Sequence, residues 1–475
     1  MDCPGHASLI KTIIGGAQII NLMMLIVDVT KGMQTQTAEC LVIGQITSDK
    51  MIVVLNKTDM LPKEKRAAMV EKMTKRMKQT FQSTKFKDVI VIPVSAKPGG
   101  PDSDAQPEGL DNLVNIIKAE SYVPKKIVDA PALFAVDHCF SIKGQGTVMT
   151  GTVLQGRIKV GDTLEIPSLG VSKKVKSMQM FRKGVESVAH GDRAGVCVTQ
   201  FDPGLLERGI VCAPGSIHIA FGVIMDFNMI QYFKSDIRSK AKFHISLGHE
   251  TVMAKVTLFS SPALNEKIEG GFDFGREYQF DEFYGKNSEK SDESEGETSQ
   301  PRDRFVLLEF ETAVPVLPEC IVIGSKLDTD INANLCRLAF HGRALKTFTT
   351  KDYAKTDLPN LKIYKDKCKE GIVERASNEY EVIVKDLVKK ETNVDLFTGL
   401  KVELSTGEPG VIEGTFGQSG KIKVRIMQGL KPDTFARVGG GKKKKGENTG
   451  FTEPVVVKLK FKRYIFDEKK KMIQL

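Results

Sequence analysis

Three short stretches carry side chains able to do chemistry together. Asp2-Cys3-Pro4-Gly5-His6 sets a carboxylate just ahead of a glycine and an imidazole, while Asn56-Lys57-Thr58-Asp59 and Ser95-Ala96-Lys97 each follow an apolar run. A carboxylate at Asp2 could hold a magnesium-bound water beside a terminal phosphate, and Gly5 would let backbone N–H approach that phosphate. Asp59 could accept two N–H bonds from a guanine edge, a bidentate geometry that adenine cannot satisfy. Asn56 and Lys57 would brace the loop and cover the base, with Ser95, Ala96 and Lys97 making a last contact to the guanine oxygen. Asp-x-x-Gly alone reads as a turn. All three stretches in this order point to a guanine-nucleotide-binding domain.

Such a domain ordinarily opens with Gly-x-x-x-x-Gly-Lys-Ser/Thr, the loop that cradles the phosphates. No such run occurs in the 475 residues. Without its N–H donors and lysine, GTP affinity is expected to collapse. The chain therefore reads as a fragment or late-start product of a longer GTPase, with Leu22–Val27 or its neighbour as an exposed apolar sheet edge.

The elements that must position these residues follow from periodicity. Apolar strands are expected at 22–27, 51–55 and 89–94, separated by helices at 36–45, 63–81 and 110–118. Unbroken apolar strands between amphipathic helices indicate a parallel sheet covered on both faces. After Val123-Pro124-Lys125-Lys126 the pattern changes to short β runs broken by glycine, beginning with Gly144-Gln145-Gly146-Thr147-Val148-Met149-Thr150-Gly151. That describes a small β-barrel, and residues 217–348 repeat the style with strands at 241–245, 252–258, 304–310 and 334–340. The expected division is a truncated GTP-binding domain at 1–127, barrels at 128–216 and 217–348, and a basic β domain at 349–475. Residues 281–302 are Ser/Glu/Asp/Gly-rich and predict a disordered acidic loop.

Charge sharpens the picture. From residue 350 onward there are 27 Lys and Arg against 18 Asp and Glu, so nearly all of the net +10 sits in the last quarter. A basic module on a nearly neutral body suits a polyanion. The run Lys442-Lys443-Lys444-Lys445 reads as a solvated loop, a nucleic-acid contact or a nuclear address. Eight scattered cysteines without a C-x-x-C pair suit reduced thiols in a cytosolic or nuclear compartment and argue against zinc. No apolar run of 18 residues is present, so no membrane span is expected.

Taken together, the GTPase motifs resemble those of translational GTPases, and Gly-Gln-Gly-Thr-Val-Met-Thr-Gly resembles the second domain of elongation factor Tu. Val136-Asp137-His138-Cys139-Phe140, Gly191-Asp192-Arg193 and a last β domain ending in Phe461-Lys462-Arg463-Tyr464 are similar to the eukaryotic selenocysteine-specific elongation factors, over the whole length. The resemblance implies GTP and Mg2+ as cofactors, with Asp2 holding the metal through water and His6 positioning the attacking water. It implies selenocysteyl-tRNA and the ribosome as partners, and delivery of that tRNA at UGA codons. It also implies that the last domain meets the selenocysteine insertion element and its binding protein, with the factor a monomer in the cytoplasm and also the nucleus. Asp137, His138 and Arg193 match the family's amino-acid pocket. A selenol is more acidic than a thiol, so Arg193, and His138 when protonated, would favour it over serine, while Asp137 orients the aminoacyl amine. Two other readings stay open: a GTPase-inactive RNA- and tRNA-binding module, and a general GTPase of the initiation type.

Overall fold

The computed structural model describes residues 10–17, 19–248, 250–262, 271–285, 302–317, 319–328, 335–390, 393–417, 420–439, 454–467 and 472–474. The chain divides into two compact units. One is Met1–Leu258 with Lys267–Phe272 and Asp281–Tyr353; the other is Phe259–Glu266 with Asp273–Phe280 and Ala354–Leu475.

The first unit begins with α1 (Ile10–Ala17), β1 (Leu22–Asp28), α2 (Thr35–Thr47), β2 (Lys50–Asn56), α3 (Arg66–Phe81), β3 (Ile90–Pro93) and α4 (Leu110–Glu120). The three strands are parallel in the order β1-β2-β3. β2 is apolar from Met51 to Leu55 because both its faces are covered there, and those five residues are all buried. α3 turns Met77 and Phe81 into the sheet, both wholly buried, which fixes the rotation of its charged face. Burying one such aromatic contributes about 1.5–3 kcal/mol. β1 is an edge strand, and Met24 and Ile26 are about half exposed.

Next come β4 (Leu133–Ile142), β5 (Gly146–Gln155), β6 (Arg157–Lys159), β7 (Thr163–Ile166), β8 (Val171–Met180), β9 (Lys183–Val185), β10 (Ser187–Ala189), β11 (Arg193–Val198) and β12 (Gly209–Cys212). The order β11-β5-β4-β12-β7-β8 closes on itself through β11–β8 pairing, so this is a barrel. Its interior is filled by alternate residues such as Phe134, Val136, Val153, Val175 and Val196. A second ring is built from His218–Asp226, Lys242–Leu247, Glu250–Ser260, Arg304–Val316, Ile321–Ser325 and Leu338–Phe348.

α1 and α2 pack on this second barrel. Ile10, Ile13, Ile14, Val42 and Ile43 form one cluster with Ile230, Ile323 and Leu338. Beside them Glu39 of α2 accepts three bonds from Arg337: from its backbone N–H at 3.0 Å, from Nε at 3.1 Å and from a terminal nitrogen at 2.7 Å. That pair corrects one expectation. The strand anticipated at 334–340 starts only at Leu338, because the Arg337 N–H is spent on Glu39 and not on a neighbouring strand. A second correction concerns 281–302. Asp281 and Phe283–Tyr284 are strand residues, and Tyr284 is buried against Phe227, so the apolar start of that stretch is ordered; residues 286–301 lie outside the described residues.

The second unit contains a further closed ring, from Ile363–Asn378 through Glu381–Lys385, Lys421–Ile426, Pro409–Phe416 and Lys401–Leu404 to Val456–Tyr464, which pairs back onto Ile363–Asn378. Val382, Val384, Ile422, Val424, Val457 and Leu459 fill it. Lys442–Lys445 fall outside the described residues.

Candidate functional site

β2 and β3 are neighbours in register, Val54 opposite Ile92, so their C-terminal ends deliver two loops to the same edge of the sheet. That edge, beyond the carboxyl ends of parallel strands, is where α/β sheets bind ligands. The loops interlock through side chains. Asn56 Oδ1 accepts the Lys57 N–H at 2.8 Å and the Ala96 N–H at 3.2 Å, tying one loop to the other. Lys57 is left-handed at φ 65°, a conformation that Asn56's cap helps hold. Asp59 Oδ1 accepts from the Ser95 hydroxyl and Oδ2 from the Gly99 N–H at 3.1 Å.

These donors hold the Asp59 carboxyl below its ordinary pKa, the Ser95 hydroxyl first and the Gly99 amide next. Both are uncharged, and among the described residues no Lys or Arg forms an ion pair with Asp59. A carboxylate has about four lone-pair sites, so two remain for a ligand's N–H groups. The loops therefore fit the base of a guanine nucleotide. Ser95 is wholly buried with its hydroxyl on Asp59, so its side chain is not open to a base as the sequence reading expected. Lys97 is exposed at the rim.

Two residues escaped the sequence reading. Asp28 stands opposite Asn56 in the β1–β2 register and takes the Lys57 ammonium at 2.9 Å, with the Thr30 N–H and hydroxyl at 2.9 and 2.6 Å. Burial pushes its carboxyl up, but the bonds from Thr30 and Lys57 outweigh this and bring it down to about 2. Its ammonium pinned there, Lys57 reaches from its loop back to the end of β1. Arg66, at the start of α3, donates to the Asp59 carbonyl at 3.2 Å and to Glu108 at 3.1 Å. The only signal for Asp28 was a carboxylate closing an apolar strand.

Asp2, Gly5 and His6 lie outside the described residues, and so does any geometry for phosphate or magnesium. Among the described residues no group of three or more His, Cys, Asp or Glu could hold a metal ion.

The second constellation sits on the first barrel. The β4–β5 register slips between Val136 and His138, so Asp137 is a bulge residue, re-aimed by the extra backbone unit. Opposite stands Gly151, where a Cβ would lie 1.9 Å from the Ala135 carbonyl oxygen; only glycine allows that approach. Arg193 opens β11 opposite Thr152 of β5. Its guanidinium donates to Asp137 Oδ2 at 2.6 Å and to the Thr152 hydroxyl at 3.2 Å. The Arg193 side chain is 51% exposed and that of Asp137 14%. Asp137 thus holds Arg193 and is not free to serve an amine with both oxygens. His138, next along, is exposed. Three adjacent strands bring Asp137, Thr152 and Arg193 together as a half-open cationic niche, and no bond joins the His138 side chain to them among the described residues.

Comparison with known proteins adds the following. Residues 1–122 match the elongation factor Tu GTP binding domain, and 146–213 match elongation factor Tu domain 2. Residues 224–342 match the third domain of eukaryotic selenocysteine-specific elongation factor, and 359–470 the eEFSec C-terminal RIFT domain. A mouse selenocysteine-specific elongation factor is 51% identical over 506 aligned residues, covering all of this chain and 87% of that protein. The protein of that name from Methanocaldococcus jannaschii is 33% identical over 274 residues, 57% of this chain and 56% of its own length. Among solved structures, translation elongation factor SelB from Methanococcus maripaludis in complex with the GTP analogue GPPNHP superposes with a TM-score of 0.68 at 25% identity, covering 98% of this chain and 89% of that one. Its apo form superposes with a TM-score of 0.66 at 24% identity, covering 98% and 88%, a likeness of fold.

Proposed function

Because the chain belongs to the eukaryotic selenocysteine-specific elongation factors, we propose the following roles for its residues in a GTPase that delivers selenocysteyl-tRNA to the ribosome at UGA codons. Asp59 selects guanine, aimed by Ser95 and Gly99. Asn56 locks the two base-reading loops together, and Lys57, anchored on Asp28, covers the base. Bound magnesium would neutralise charge developing on the phosphates; Asp2 is the residue assigned to it, and His6 is assigned to orient the attacking water.

The observation that carries this reading is the interlock itself. Two loops about 40 residues apart are tied by the side chains of Asn56 and Asp59 together with the Thr58 N–H on the Val94 carbonyl, and the half-buried Asp59 carboxylate has no ion-pair partner among the described residues. Replacing Asp59 by Ala should abolish the preference for guanine over adenine nucleotides in a fluorescent-nucleotide competition. A variant that still prefers guanine would overturn the assignment.

Arg193 is assigned to the selenium anion. Asp137 and Thr152 fix two of its N–H groups, and its exposed side leaves further donors for a ligand. An anion there shares the guanidinium with Asp137, so discrimination against serine rests on charge-assisted bonds that a neutral hydroxyl cannot equal.

For the last domain the proposed partners are the selenocysteine insertion element and its binding protein. Lys458 and Lys460 point outward on the strand Val456–Tyr464 while Val457, Leu459 and Phe461 face the core, and Lys462 is spent on Glu277 at 2.9 Å. Phosphate contacts there predict an affinity that falls steeply with salt. If a Lys458→Gln/Lys460→Gln variant keeps the full salt slope toward that RNA element, the strand is not the contact.

A further inference from the structure

The even charge of the body conceals a second basic region. Residues 63–87 contain nine Lys and Arg against Glu64 and Glu71. Without this stretch, residues 1–349 carry 33 Lys and Arg against 39 Asp and Glu, a net negative surround. The cations are concentrated on α3 and the turns that flank it.

Geometry determines where they point. Met77 and Phe81 fix the buried side of α3, with Met73 and Val70 packed along it. At 100° per residue Lys72 and Lys75 stand on the side opposite that stripe, with Arg76 on one flank and Lys78 on the other. Lys75 is paired with Glu71 at 2.7 Å. Lys63, Lys65, Lys72, Arg76, Lys78 and Lys87 make no ion pair among the described residues. Like charges at four-residue spacing, as at Lys72 and Arg76, destabilise a helix when left alone. An external anion reverses the sign of that interaction.

The chemistry of the face narrows the occupant. Between 63 and 87 the only large apolar residue exposed is Met69, and no aromatic is exposed. An acidic peptide would need apolar pockets for its anchors, and unpaired bases would need aromatic platforms. A band of exposed cations, only Lys75 of them in an ion pair, on a helix about 24 Å long has what the phosphate backbone of helical RNA requires, and nothing that reads sequence.

We propose that α3 is a sequence-independent docking face for the backbone of double-helical RNA, separate from the base-reading loops and from the basic last domain. Lys72, Lys75, Arg76 and Lys78 make the phosphate contacts.

The test uses the full chain and a 20-base-pair RNA duplex lacking any selenocysteine insertion sequence. Amine-reactive labelling read residue by residue should show Lys72, Lys75 and Lys78 protected by the duplex at low salt and released at high salt. A Lys72→Glu/Arg76→Glu/Lys78→Glu variant should lower the slope of log affinity against log salt by about 2–3. The Lys72→Gln/Arg76→Gln/Lys78→Gln variant, which reverses no charge, should lower it in the same direction with an unchanged melting curve. Unaltered labelling of these lysines while Lys458–Lys462 are protected would overturn the proposal. So would an unchanged slope in a folded variant, or better protection by poly-glutamate than by the duplex at equal charge.

Discussion

Glu39–Arg337 and Asp137–Arg193 are the same two chemical groups at almost the same separation, 2.7 and 2.6 Å, in the same compact unit. Their surroundings differ. The first pair is 5–6% exposed and set among isoleucines where α1 and α2 meet the second barrel. The second has a guanidinium half in solvent, held by Asp137 and Thr152 on one side only. A buried charge must have every donor and acceptor satisfied, which leaves nothing for a ligand. A half-exposed charge with two fixed bonds is oriented yet still able to bind. Ion-pair geometry alone does not mark a functional arginine; the unspent donors do.

The widest separation between the two pairs should appear in stability. Arg337→Ala strands the Glu39 carboxylate in an apolar interface and should cost about 3–5 kcal/mol, read as a lower urea midpoint. Arg193→Ala should cost within about 1 kcal/mol, as for other exposed pairs. Equal shifts would break the contrast.

Function should show the reverse order. Arg193→Ala should reduce the preference for selenocysteyl- over seryl-tRNA by roughly 10- to 100-fold, the worth of a charge-assisted bond of about 1.5–3 kcal/mol. Protection of each aminoacyl ester from hydrolysis measures it. Arg193→Lys keeps the charge but loses the fork, so it should fall between the wild type and Ala.

Asp28–Lys57 lies between these extremes, with the carboxylate 19% and the ammonium 52% exposed. The Asp28 carboxyl titrates near 2, against an ordinary value of 3.8. Its folded pKa is depressed, so its contribution is complete above about pH 4 and is lost as pH falls toward 2. The contribution amounts to at most about 2 kcal/mol. Acid titration of stability in wild type and Asp28→Asn checks this: the variant should lose less stability across that window.

The three parallel strands and their helices were legible because a fully apolar run of five, such as Met51–Leu55, suits only a strand covered on both faces. Asn56 and Asp59 stood out for a different reason: their types and spacing are those that a guanine-reading loop would need. What pairs across long sequence separations was not. Nothing in the text of the chain joins Glu39 to Arg337, and the missing ladder bond at Arg337 displaced a strand boundary by several residues. The Asp137 bulge escaped for the same reason, since a register slip in β4 is fixed by Gly151 in its neighbour. The charge on α3 was visible, yet averaging over the whole body cancelled it.

Ser95 tests how finely the base-reading loops and the cationic niche differ. Its hydroxyl is buried and donates to Asp59, so Ser95→Ala leaves the carboxylate with the Gly99 amide as its only donor of the two. One neutral hydrogen bond is worth about 1 kcal/mol, so guanine-nucleotide affinity should fall only several-fold and the preference over adenine should remain. The revealing measurement is the pH profile. Ser95 is the leading cause of the lowered Asp59 pKa, and its loss moves that pKa back up toward the ordinary range. Affinity should then decline on the acid side at a higher pH than in the wild type, since only the ionised carboxylate accepts both N–H groups of the base. An unshifted acid limb would mean the hydroxyl does not tune Asp59. Outright loss of base preference would mean that Ser95 reads guanine itself, making the base-reading loops a direct contact site like the Arg193 niche and not a carboxylate aimed from behind.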